Sequence, residues 1–239
     1  MERTPPVYSK EKATAEASSI TKTLTSKHPE QNGAFTRHQY ESESNEIARR
    51  QIELIKIISS LQFPSFLFGG YAAEILLKEK DGKCEVETFD THTDIDMAVS
   101  RKNQASLERA LQELGISYKA TSKDHPRKLY ITNANGLQAD FAIFDVDEET
   151  GKPYIFVEDK NVQKKAYVST DFFAGETITV QGIPVRIASP KSLIQSLQFY
   201  TSLGHTLRDK DLQRAQQLRD KYYPGIPLDA EEFKIKITE

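Results

Sequence analysis

The sequence predicts an α/β (α+β) domain, a small mixed β-sheet flanked by helices with further helices at the C-terminus. Three observations carry this: an apolar strand that stops at a glycine pair opening a helix, a later strand that alternates acidic with apolar residues, and a proline-initiated helical stretch near the end of the chain. With 239 residues the chain has room for one catalytic-scale domain and an appendage.

Residues 1–40 are rich in Ser, Thr, Lys and Glu and show no sustained hydrophobic period, which predicts a disordered N-terminal tail. The folded domain is expected over 41–225. It opens with an amphipathic helix in which Ile47, Ile52, Ile55, Ile58 and Leu61 recur at three- to four-residue steps, with Ser44 or Asn45 as N-cap. After Pro64, Ser65-Phe66-Leu67-Phe68 reads as a buried strand, Gly69-Gly70 as a turn and Tyr71–Leu77 as a helix. A polar stretch leads to Asp94–Val99, where Ile95, Met97 and Val99 alternate with Asp94, Asp96 and Ala98. Gln104–Leu114 is a helix closed by Gly115. Ile116–Ala120, Lys128–Thr132 and Leu137–Phe144 follow as strands of a meander, the last two joined through Asn133–Gly136. Thr177–Val180 and Val185–Ala188 form a hairpin around Gln181–Pro184, Ser189-Pro190 starts a helix, and Leu207–Tyr222 is the last helix, ended by Pro224-Gly225. Residues 226–239 are expected to be an irregular tail.

Charge and cysteine content narrow the function. Lys and Arg number 32 against 35 Asp and Glu, so no excess of positive charge marks a nucleic-acid binder, and a small-molecule or protein substrate is favoured. Cys84 is the only cysteine, which excludes an intramolecular disulfide and a cysteine-based zinc site. With no apolar run of signal-peptide or membrane-spanning character, a cytoplasmic protein is expected.

The chemistry-bearing residues are few. Asp94 and Asp96 project from one face of a strand and repel each other unless a cation compensates, and Mg²⁺ suits two hard carboxylates with phosphate oxygens completing its shell. Gly69 and Gly70 bare backbone N–H groups at a helix N-terminus, where a phosphate binds. Asp140 lies within the apolar run Ala139–Phe144, where an unpaired charge is costly, so it completes the metal site, accepts a proton, or is held by a buried partner.

These features together resemble the DNA polymerase beta-like nucleotidyltransferases, whose signature is a glycine pair opening a helix, an h-D-h-D-h strand and a third acidic strand. Gly69-Gly70-Tyr71-Ala72 and Asp90-Thr91-His92-Thr93-Asp94-Ile95-Asp96 look most like the aminoglycoside and lincosamide nucleotidyltransferases, with Asp90 standing where that pattern has arginine. Arg208-Asp209-Lys210-Asp211 is similar to the group's C-terminal R-x-K-D. The resemblance implies a nucleotidyltransferase fold over about 65–218 and transfer of a nucleoside monophosphate, with ATP the expected donor, to a hydroxyl of a small molecule. It implies Mg²⁺, one or two ions, on Asp94, Asp96 and Asp140, and contacts to the nucleotide from Gly69, Gly70, His92, Arg208 and Lys210, with Asp211 orienting Lys210 or capping its surroundings. The same superfamily leaves two alternatives open: a toxin-type enzyme modifying tRNA or protein, and a catalytically silent nucleotide-binding regulator.

Overall fold

The computed structural model describes residues 52, 54–56, 58–59, 64–85, 94–122, 127–132, 138–159, 162–202 and 206–238. The expected tail over 1–40, the caps Ser44 and Asn45, His92 and the Asn133–Gly136 connection lie outside them. The described positions of the first amphipathic helix are helical, and Ile52, Ile55 and Ile58 are buried at their three-residue spacing.

Strand β1 (Ser65–Phe68) runs directly into α1 (Gly69–Lys78), then a short β2 (Lys83–Cys84) and β3 (Asp94–Ser100) follow. Next come α2 (Gln104–Glu113), β4 (Lys119–Ala120), β5 (Lys128–Thr132) and β6 (Gln138–Val146). The remaining strands are β7 (Pro153–Asp159), β8 (Val162–Tyr167), β9 (Thr177–Val180) and β10 (Ile183–Arg186). Helix α3 (Pro190–Leu197), the single turn α4 (Phe199–Ser202), α5 (Asp209–Tyr222) and β11 (Lys236–Thr238) complete the chain.

One mixed sheet runs β1-β3-β6-β7-β8-β11, with β5 also on β6 and β4 on β5; a smaller sheet runs β10-β9-β2. A bridge from Leu67 to Ile187 ties the two together, and the Ala188 amide donates to the Leu67 carbonyl at 2.9 Å. Parallel strands need a crossover. α2 and the β4-β5 hairpin supply it, so β6 returns parallel to β3 with Asp96 level with Asp140. Helices α1, α3 and α5 pack on one another, and Leu193, Ile194, Ala215 and Leu218 are buried in the common core.

Four boundaries differ from the sequence reading, each for a local reason. The strand expected at Ile116 begins only at Lys119, because the Ile116 amide closes α2 by donating to the Leu111 carbonyl while the Gly115 amide donates to Gln112. The hairpin loop contracts to Gln181-Gly182, both at positive φ, so Ile183 and Pro184 already belong to β10. α5 starts at Asp209, since Arg208 keeps an extended backbone as its N-cap. The residues after Pro224-Gly225 are ordered structure: Phe233 is buried, and β11 pairs antiparallel with β8. The strands β7 and β8 add to the expected set.

Phe233 tests this last point. Replacing it with alanine should cost about 3–5 kcal/mol of stability in urea denaturation, as loss of a buried aromatic does; a solvated tail would leave the midpoint unchanged.

Candidate active site

The site assembles where β1 ends. Phe68 pairs with Asp96 on one side of β3 and Asp140 pairs with Asp96 on the other, so the turn that follows Phe68 and the two acids meet by register alone. Ligand atoms of Asp94, Asp96 and Asp140 lie within 4.8 Å of one another. All three expected carboxylates therefore share one place.

Gly69 takes φ +73°, and a Cβ there would overlap Asp96 Oδ2. Two constraints thus require glycine: the left-handed backbone and the close approach to the carboxylate. Gly70 is the second residue of α1, Phe68 gives that helix no side-chain cap, and the helix N-terminus therefore opens beside Asp96, where Gly69 abuts it.

Packing these carboxylates together has an electrostatic cost. Asp96 is pushed up to about 7, by burial first and then by Asp94, with Asp140 adding to it, while Lys128 and Arg208 oppose the shift. Asp140 is raised as well, again through burial, with Lys128 holding it down. Lys128 Nζ lies 3.3 Å from Asp140 Oδ2. Burial works against the Lys128 charge, yet Asp140 and Asp96 outweigh it and raise its pKa. The second oxygen of Asp140, Oδ1, is buried with no hydrogen-bond partner among the described residues. A buried carboxylate oxygen without a partner, on an acid grouped with two further carboxylates, belongs to a set that could hold a hard divalent cation.

Arg208 and Lys210 take different places. Arg208 sits at the N-terminus of α5, where Nε donates to Asp211 Oδ2 at 2.5 Å and the charge reaches Asp96. Asp211 is buried and engages Arg208. Lys210 is exposed in the first turn of α5. What holds α5 here is a buried ion cluster: Glu74 of α1 receives Lys78 at 2.6 Å and faces Arg214 Nη2 at 3.7 Å. At the other end of α1, Lys221 Nζ donates to the Leu76 carbonyl at 2.6 Å, capping the helix C-terminus.

Lys128, Glu74 and Arg214 are the participants that the sequence reading does not single out. Each looks like an ordinary surface charge on its element, and only the register and the helix packing bring it to the site.

A mixed sheet with a Gly-Gly turn abutting an acid pair and a third acid on the neighbouring strand defines a nucleotidyltransferase. The aminoglycoside-2''-adenylyltransferase family model matches residues 51–218, and the chain belongs to that family. No curated protein matches it by sequence. Among solved structures it is similar to the antibiotic-resistance factor ANT(2'')-Ia in solution, at 15% identity over 78% of this chain and 88% of that one, with a TM-score of 0.50. It is also similar to the lincosamide antibiotic adenylyltransferase LnuA in a lincomycin-bound crystal, at 12% identity over 72% and 95% of the chains, with a TM-score of 0.48. The likeness to ANT(2'')-Ia shows a shared fold. Among the described residues, no helix is long and apolar enough to cross a membrane.

Two outcomes are expected from this geometry. An unfolded aspartate titrates near 3.9, roughly, and Asp96 in the metal-free fold near 7. Between those values the folded state holds a proton that the unfolded state has released, so stability falls as pH rises through the window. Asp96→Asn removes this titration, and in chelator the variant should exceed the parent by roughly 1–3 kcal/mol at pH 8, the gap closing as pH falls toward 4. Urea titrations across that range check it, and a pH-independent gap would contradict it. Gly69→Ala should weaken Mn²⁺ binding about tenfold or more by displacing Asp96, read by paramagnetic resonance.

Proposed function

We propose that the chain transfers a nucleoside monophosphate group from a nucleoside triphosphate, ATP, to a hydroxyl of a small-molecule acceptor and releases pyrophosphate. The observation that carries the reading is the convergence of Asp94, Asp96 and Asp140 within 4.8 Å beside the amides that open α1. Asp94, Asp96 and Asp140 would hold Mg²⁺. Bound there, the metal supplies neutralisation of charge on the phosphate oxygens and a lowered pKa for the attacking hydroxyl.

The remaining roles belong to the chain itself. The Gly69 and Gly70 amides donate to phosphate oxygens, with the partial positive end of α1 behind them. Arg208, fixed in direction by Asp211, offsets the negative charge that builds on the leaving pyrophosphate. Lys210, exposed one residue into α5, stands on the outer side of the same helix terminus and adds to that field. As the acceptor oxygen bonds to the α-phosphorus, the bond from that phosphorus to the β-phosphate oxygen breaks, and the hydroxyl proton passes to a carboxylate. The family description makes amino-sugar hydroxyls the first acceptors to test.

The test is calorimetric titration of ATP, GTP, CTP and UTP with and without Mg²⁺, followed by pyrophosphate release with panels of aminoglycosides and lincosamides. Asp94→Ala/Asp96→Ala should abolish metal-dependent binding and lower turnover by about a thousandfold or more, while the fold survives. A double variant that keeps turning over would remove the metal assignment.

A further inference from the structure

Lys128 is the charged group at the site that neither the motifs nor the family match assigns a role. In the β5-β6 ladder Tyr130 stands opposite Asp140 and Lys128 opposite Ala142, so Lys128 reaches Asp140 diagonally, from two residues away on the same face. Its ammonium lies 3.3 Å from Asp140 Oδ2 and 5.8 Å from the centroid of the Tyr130 ring, which steadies a cation there. The two oxygens of Asp140 are thereby divided: Oδ2 carries the ammonium, and Oδ1 is buried without a partner among the described residues.

The charge balance gives this division a consequence. Three carboxylates face two resident cations, Lys128 and Arg208, both close enough for Asp96 to respond to them. A bare dication must approach against those two positive charges. A dication arriving on a triphosphate brings anionic oxygens that the same two cations attract.

Building on the assignment of the three acids as metal ligands, we infer that Lys128 is the positioning cation of the site. It fixes Asp140 through one oxygen, leaves the other for a divalent ion, and makes the site select the metal–triphosphate complex over the bare ion. Lys128 acts through Asp140 and through the field it creates.

Mn²⁺ is the probe, titrated by paramagnetic resonance with and without a triphosphate whose α,β-bridge is methylene, onto the parent, Lys128→Met, Lys128→Arg and Asp94→Ala/Asp96→Ala. Lys128→Met should bind bare Mn²⁺ about tenfold more tightly and the Mn²⁺–nucleotide complex about tenfold more weakly, with Lys128→Arg close to the parent. The side chain is 37% exposed, so the methionine variant is expected to fold, and Lys128→Gln carries the same expectation. Equal affinities in parent and Lys128→Met, a parallel loss of both affinities, or failure of arginine to restore the preference would overturn the inference. A parent that binds no Mn²⁺–nucleotide complex would bring down the metal-site reading and this inference with it. Binding that is lost in the double aspartate variant but indifferent to position 128 would remove this inference alone.

Discussion

Three carboxylates held within reach of a single ion repel one another, and much of the surrounding architecture serves to bear that repulsion. The parallel pairing of β3 with β6 forces the encounter, because it sets Asp96 level with Asp140 while the alternation of β3 puts Asp94 on the same side. Neither strand can slip by one residue without turning its acids into the core and its apolar side chains toward the site. The buried residues Ile95, Met97, Phe141 and Ile143 therefore fix the acids as firmly as any direct contact. Relief comes from cations delivered by other elements, Lys128 from β5 and Arg208 from the start of α5. In the metal-free protein that relief is incomplete, and Asp96, raised first by burial, is pushed further by Asp94 and Asp140 to about 7.

Much of this is legible in the sequence wherever the signal is local. The strand, glycine pair and helix at 65–78 appear in the structure because an apolar run, a residue pair free of Cβ and a helical period follow one another without interruption. The acid pair is legible because alternation across a strand is a property of the strand itself. Asp140 stands out as a charge in an apolar run, yet its pairing with Asp96 is set by a crossover of some forty residues that no local period encodes. Lys128 is the harder case. At the head of a strand a lysine usually marks a solvated edge, and only the diagonal of the β5-β6 ladder turns it inward.

The far edge of the sheet illustrates a different gap. Tyr154-Ile155-Phe156-Val157 forms the middle of β7 without the clean polar alternation of a surface strand, since these positions are all half-buried. Lys234-Ile235-Lys236-Ile237-Thr238 does alternate, but its strand, Lys236–Thr238, is so short that the pattern stands out only beside β8. Asp211 shows how a local motif leaves the choice of partner open. In the R-x-K-D segment the buried acid faces back along the chain to Arg208, whose extended N-cap backbone brings its guanidinium within reach.

The clamp between α1 and α5 also sets when the site comes into being. Glu74 meets Arg214, and Lys221 caps the helix that begins at Gly69, so elements about 140 residues apart in the chain close on each other. During synthesis β1, α1 and β3 leave the ribosome long before α5. A growing chain thus carries its acidic strand and its glycine turn without Arg208 to share their charge until that helix docks. The charge balance around the acids is therefore complete only once α5 has been made and has docked, well after the motifs themselves have formed.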